Sequence, residues 1–359
     1  MFVKEPSPKV AILIPTMNRS EFLIRQLRYY ASVKSPHPVY IGDASNEEHR
    51  QRIENEINNI GLKLTIHYHH WPDANDRQSI AGLAEVALEP YCAYTGDDDF
   101  LIPDSLTKCA EFLKTQPDYR TAQGKAILFS LKESGPYGVL SGIGTYWTKK
   151  EAEENTGVRR ISQFAQSYWV PQFSVHRTRE FVKDSVQYQK ITDKSFGELL
   201  HSFTFISKGK SKFIDCLYLF RQGHEARYIL PDIFDWLTGS EWHPSFGIFK
   251  ESLTSALIET DGISIAVAQE EVKQTFWAYL SGLIEKKYKA KYFSKNSSFR
   301  DSIRKRVKMV PGAVHLVRNF RAQLNNSELS LPALLTSASP YHKDFMPVYE
   351  SITRQPITQ

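Results

Sequence analysis

Residues 94–103 read YTGDDDFLIP, three consecutive aspartates set between a hydrophobic run and a second apolar stretch. Asp97, Asp98 and Asp99 repel one another, so whatever fold holds them at the edge of a core must also supply the counter-charge. Two arrangements do this. Acids favour the N-terminus of a helix, and PDSL (103–106) opens one whose Leu106, Ala110 and Leu113 recur on one face. A divalent cation does it too, since Mg²⁺ and Mn²⁺ take hard oxygen ligands, usually one or two carboxylates completed by substrate phosphates. One or two acids suit a helix start. Three in succession, directly after a buried strand, point to the cation.

Outward from this stretch the first hundred residues alternate strand and helix. VAILIP (10–15) is a short apolar run typical of a strand buried on both faces. A helix is expected from about Ser20, with Leu23, Leu27 and Tyr30 on one side. VYIGDAS (39–45) reads as a second strand. Ser45 and Glu48 have the spacing of a capping box before a helix marked by Ile53, Ile57 and Ile60. LKLTIHYHH (62–70) alternates as a third strand, DRQSIAGLAEVAL (76–88) forms a third helix, and YCAYTG (91–96) is a fourth strand that delivers the aspartates. Such alternation with short connections predicts an α/β, doubly wound, mostly parallel sheet. Ligands of such sheets bind beyond the carboxyl ends of the strands. Pro15, Thr16, Asp43 and the three aspartates all fall at that edge.

Further strands are expected at 125–131, 172–176 and 212–220, a helix at 195–207, and a long surface loop in the Gly- and Pro-rich stretch 132–146. Beyond about 240 the chain turns helical, with Val272, Phe276, Tyr279 and Leu283 on one face. Pro332, Pro340, Pro347 and Pro356 mark the end as an extended tail. The expected division is an α/β domain over 1–235, a helical basic region over 236–325 and the tail over 326–359.

Several functional classes are excluded. The turn after the first strand, PTMNRS, has no glycine, so the Gly-x-Gly-x-x-Gly of dinucleotide-binding domains is absent. No P-loop motif occurs anywhere. Cys92, Cys109 and Cys216 lack metal-ligand spacing and are odd in number, which fits reduced thiols and a cytosolic setting. The start of the chain has no apolar leader, and no run is long enough to span a bilayer. His67 and His69 share one face of a strand, but a zinc site needs further ligands, and they read as strand-edge histidines. The net charge of +5 is concentrated, with twelve Lys/Arg and one acid, Asp301, over 286–321. That segment reads either as a solvated helical face or as a surface approaching an anionic membrane or substrate. Nucleic acid is not among the expected partners.

Taken together, PTMNR after the first strand, GDAS after the second and GDDDFLIPDSL after the fourth resemble the family 2 glycosyltransferases of the GT-A fold. The resemblance spans about residues 9–225, closely to Leu106 and loosely after it. It implies transfer of a sugar, with inversion, from a nucleoside-diphosphate sugar to a hydroxyl of a glycan or lipid-linked acceptor, a UDP-sugar being the favoured donor. It implies that Pro15, Thr16 and Arg19 line the nucleoside pocket, that Asp43 meets the base, and that Asp97 and Asp98 face the sugar nucleotide. Mn²⁺ or Mg²⁺ is expected on Asp98 or Asp99. Gly96 stands where members often carry an acid, and Arg77 is the candidate for an arginine usually placed about one turn later. The family's general base sits late in the domain, where Asp193 and Glu198 compete. Arg221 and His224 resemble an Arg-x-x-His ending that faces the diphosphate. Trp236 and Trp242 either pack the helical region or stack on an acceptor sugar. Rival readings are a nucleotidyltransferase, which needs a basic Gly-rich loop absent here, and a degenerate glycan-binding domain.

Overall fold

The computed structural model describes residues 6–224, 230–288 and 328–354. The first half runs β1 (Val10–Thr16), α1 (Ser20–Ser32), β2 (Val39–Asp43), α2 (Glu47–Ile60), β3 (Ile66–His70), α3 (Asp76–Val86), β4 (Tyr91–Tyr94), β5 (Phe100–Leu101) and α4 (Pro103–Thr115). There follow β6 (Tyr119–Leu131), β7 (Leu140–Trp147), α5 (Gly157–Gln166), β8 (Val175–Arg177), α6 (Thr178–Tyr188), α7 (Lys194–Lys208) and β9 (Lys210–Gln222). The remainder is helical: α8 (Ile233–Leu237), α9 (Trp242–Asp261), α10 (Ile265–Tyr288), α11 (Leu331–Leu335) and α12 (His342–Thr353).

The strands form one mixed sheet in the order β3-β2-β1-β4-β8-β6-β9-β5, with β7 added to β6. It is parallel from β3 to β4 and again between β6 and β9, and antiparallel elsewhere. The apolar residues of β1 are buried on both faces, as a central parallel strand requires. The register sets Thr16 beside Asp43, and the Thr95 N–H donates to the Leu13 carbonyl. All three strand ends therefore open onto one edge, as expected from the sequence.

One hydrophobic core lies between the sheet, α1, α2 and α4. A second core, among α5, α7, α8, α9 and α10, is built from Phe164, Phe196, Phe203, Phe249, Leu253 and Phe276. The helical layer thus recruits α5 and α7 from the part of the chain before residue 235. Val272 and Phe276 are buried as their spacing predicts. Trp236 and Trp242 pack against Phe196 in this second core.

Local expectations were corrected in three places. The cap of α2 is Asn46, which accepts the His49 N–H, whereas Ser45 turns back to accept the Asn18 N–H. The stretch 132–146 holds a strand, β7, which runs antiparallel to β6. The expected extended tail contains α11 and α12. Tyr341, Phe345, Val348 and Ile352 recur at helical spacing and bury into the first core, and Pro332 sits in a first turn, where a missing N–H costs nothing. The basic segment 286–321 lies outside the described residues from 289 onward.

Candidate active site

The acid turn leaves β4 at Tyr94 and re-enters the sheet at Phe100, so Asp97–Asp99 are held at both ends by strands. All three are buried, and each has protein partners. Thr16 Oγ1 donates to Asp97 Oδ2 (2.7 Å), and Arg19 Nη2 lies 3.2 Å from Asp97 Oδ1. The same nitrogen donates to Asp98 Oδ2 (2.7 Å), which His224 Nε2 also approaches (2.8 Å). Asp99 Oδ2 takes Arg221 Nε (2.9 Å) and Asp99 Oδ1 takes the Gln222 N–H (3.0 Å). Thr16, Arg19, Arg221 and His224, separated by up to about two hundred residues, meet at the three aspartates.

Aromatic rings fix the cations. Arg19 lies over Phe22 (4.7 Å), whose other neighbour is the stacked His224 ring (5.0 Å). Arg221 lies over Phe173 (4.3 Å) and Tyr146 (5.0 Å) and donates through Nη1 to the Tyr146 hydroxyl. Arg25, on α1, is 1% exposed and lies 4.7 Å over Phe100. Three arginines thereby face three aspartates. Sequence reasoning missed Arg25; its only signal was a cation flanked at helical spacing by Phe22 and Tyr29.

These surroundings separate the carboxylates. Burial opposes the Asp98 charge, but the His224 hydrogen bond and Arg19 outweigh it and hold the carboxyl below its usual range. Burial, then the Asp98 charge, pushes Asp97 up to about 7. Burial also raises Asp99, against the pull of Arg221. Burial brings Arg25 down to about 10, so it stays a cation at neutral pH.

The donor set fits a divalent cation at one position. Both oxygens of Asp97 and both of Asp99 are engaged by the protein. Asp98 Oδ1 takes no hydrogen bond among the described residues and lies across Gly96, where an added Cβ would meet it at 2.6 Å. That open carboxylate oxygen is a hard ligand of the kind Mn²⁺ or Mg²⁺ takes, with phosphates and water completing the shell. No group of three metal-ligating side chains occurs among the described residues. His67 and His69 instead stack on Tyr40 and Trp71.

Pro15, one residue before the end of β1, is half-buried. Asp43, fully buried, accepts the Ser45 N–H (2.8 Å) and the Tyr68 hydroxyl (2.7 Å). Arg77 donates to the carbonyls of Ile191 and Thr192 and so fixes the approach to α7. Asp193 caps that helix. Its Oδ1 accepts the Phe196 N–H (2.7 Å) and Trp236 Nε1 (3.1 Å). Glu198 Oε1 accepts the Tyr168 hydroxyl (2.8 Å), and the Glu198 carbonyl accepts Gln172 Nε2 (3.1 Å). The short turn Pro171–Phe173 therefore joins the two groups, with Gln172 on α7 and Phe173 beneath Arg221.

A structure of S. aureus TarS residues 1–349 superposes on this architecture with a TM-score of 0.50 at 14% identity, over 84% of this chain and 81% of that one. The chain has the fold of TarS. The complex of TarS residues 1–349 with UDP-GlcNAc matches with a TM-score of 0.51 at 13% identity, over 79% of this chain and 76% of that fragment. The complex with UDP gives 0.50 at 14% identity, over 80% and 77%. At these identities the likeness is one of fold, the α/β architecture with a helical C-terminal region that the sequence predicted. No family model matches the sequence. No curated protein matches it either.

Proposed function

We propose that the protein is a metal-dependent, inverting glycosyltransferase that moves a sugar from a nucleoside diphosphate, by preference UDP, to a hydroxyl of a glycan or lipid-linked acceptor. The observation that carries this reading is the acid turn. Asp98 and His224 meet at the carboxyl edge of the sheet with Arg19 and Arg221 beside them, in a fold whose TarS representatives hold UDP-GlcNAc and UDP. Anionic diphosphate needs such a cationic rim, and the open oxygen of Asp98 offers a place for a divalent cation to share with it.

A Mn²⁺ or Mg²⁺ held by Asp98 would neutralise diphosphate charge as the leaving group departs, with His224 beside it facing the diphosphate. Arg19 and Arg221 keep the neighbouring acids compensated and present positive charge to the same diphosphate. Thr16 and Pro15 border the nucleoside. Asp43, fully buried with one oxygen on the Ser45 N–H and the other on the Tyr68 hydroxyl, supports the base side of the pocket from behind. Asp193 takes the acceptor proton. Its Oδ1 is fixed by two donors, and Oδ2 is the oxygen for the proton. Glu198 is the competing base on the same helix. Arg77 serves by holding the loop that carries Asp193.

No described helix is long and apolar enough to cross a membrane. The twelve cations of 286–321 support a peripheral position at an anionic, inner membrane face. Thermal shift with UDP, UDP-sugars and other nucleoside diphosphates, with and without Mn²⁺, followed by assay of donor turnover, tests the proposal. A UDP-sugar should stabilise the protein most, and only with metal should it be consumed. No stabilisation by any of these ligands would refute the reading.

A further inference from the structure

Two consecutive side chains of α1 grip the acid turn from behind. Gln26 Nε2 donates to the carbonyls of Gly96 (3.0 Å) and Asp99 (2.7 Å), and Arg25 Nη2 donates to the carbonyl of Asp98 (2.6 Å). Arg25 Nη1 reaches further, to Gln222 Oε1 (2.6 Å) and to the Pro136 carbonyl (2.5 Å). Gln222 in turn gives its N–H to Asp99 Oδ1 and its Nε2 to the Gly135 carbonyl (2.8 Å). One guanidinium therefore joins three pieces of chain: the acid turn, the segment before β7, and the end of β9 from which Arg221 and His224 project.

A cation this deeply buried, with no carboxylate of its own, is costly to keep. Carbonyl acceptors alone do not require it, since amides bind carbonyls as Gln26 does. What the guanidinium adds is a rigid planar fork that fixes the angle between the Asp98 peptide and the β9 end. It also adds the third positive charge that balances the third aspartate. The orientation of the Asp98 peptide decides where Asp98 Oδ1 points, and the β9 end decides where His224 sits.

We infer that Arg25 is a positioning residue for the proposed transfer, setting the Asp98–His224 pair in register from behind without touching the donor. This rests on the donor-site reading given above. Lysine in its place has one donor centre and cannot span acceptors on three segments.

The test uses the full-length protein with Arg25→Lys, and Gln222→Ala as a second variant that leaves Arg25 in place but removes its link to β9. The affinity for UDP is measured by calorimetry with and without Mn²⁺, well below each variant's Tm, together with kcat and KM. In the wild type Mn²⁺ should tighten UDP binding. Arg25→Lys should hold its metal-free UDP affinity within about twofold while losing at least about tenfold of the metal-dependent gain and of kcat, the scale on which small misplacements of reacting groups act. Gln222→Ala should show the same pattern at about threefold or more. A lowered Tm with the metal-dependent gain intact in both variants would make Arg25 a purely structural residue and overturn the inference. Absence of any Mn²⁺ effect on UDP binding in the wild type would instead overturn the site reading, and this inference with it.

Discussion

Asp98 and Asp99 are neighbours in sequence and opposites in environment, so replacing each by asparagine should give different phenotypes. Asp99 is 1% exposed and holds the side chain of Arg221 and the backbone of Gln222. Asparagine keeps its shape but removes the charge, which leaves Arg221 stacked between rings without a counter-ion. Removing one partner of a buried ion pair costs about 3–5 kcal/mol. At roughly 2 °C per kcal/mol for a domain of this size, Asp99→Asn should lower Tm by about 6–10 °C. Asp98→Asn removes a carboxylate that Arg19 and His224 hold ionised. It leaves Arg19 with Asp97 and His224 stacked on Phe22, however, so its loss of Tm should be smaller than that of Asp99→Asn. It removes the only carboxylate of the turn with an oxygen to spare, so transfer should fall by about 10² or more. Differential scanning calorimetry of the apo proteins alongside a turnover assay separates the two. A Tm for Asp99→Asn within a degree of wild type, or wild-type turnover for Asp98→Asn, would refute the division of roles.

Gly96→Ala should cut activity with little loss of Tm, because its Cβ would sit 2.6 Å from Asp98 Oδ1 while the other oxygen is pinned by Arg19 and His224; unchanged activity would show that this oxygen is free to move. Asp193→Asn should lower kcat by about 10² with UDP affinity unchanged, and the same phenotype in Glu198→Gln instead would exchange their roles. His37 and His176 are lowered by burial to about 4 and about 3, so their neutral forms stabilise the fold above the unfolded value near 6.5. That stability should drain as pH falls from 6.5 towards 4, by up to about 1.4 kcal/mol per pH unit for each. His37→Asn, which retains an acceptor for the Val10 N–H, should flatten the decline of Tm over that window, and an unaltered slope would contradict the assignment. Flotation with anionic but not neutral vesicles, abolished by high salt, is expected if the cations of 286–321 meet a membrane; equal failure with both kinds at low salt would leave a soluble acceptor.

The parallel half of the sheet was legible because fully buried strands and amphipathic helices write their periods directly into sequence. That Thr16, Asp43 and Asp97–Asp99 share one edge was legible because a doubly wound sheet sends strand ends to one edge, whereas Arg19, Arg221 and His224 were placed by the family resemblance alone. Legibility failed where tertiary contacts decide. Arg25 looks like any helix-surface cation, and only the opposed Phe100 and the turn carbonyls make it a buried one. The C-terminal prolines suggested an extended chain, yet Tyr341, Phe345, Val348 and Ile352 had the spacing of α12 all along. The glycine-rich stretch before Trp147 became β7 because the edge of β6 was there to pair it. Asp99 and Asp98 were indistinguishable as letters, since only the neighbours of each oxygen separate an ion pair from an open ligand.

Helix α12 packs on α1, and the Ile352 carbonyl accepts the Gly138 N–H, bracing the segment whose Pro136 carbonyl Arg25 holds. Every side chain of the acid site has been synthesised by residue 224, but its outermost support emerges more than a hundred residues later. A nascent chain thus carries the site's residues well before the helix that braces their support has been made. For anyone shortening this protein, the sheet is the wrong guide to where to cut: a fragment stopping after β9 would keep the strands and lose the brace.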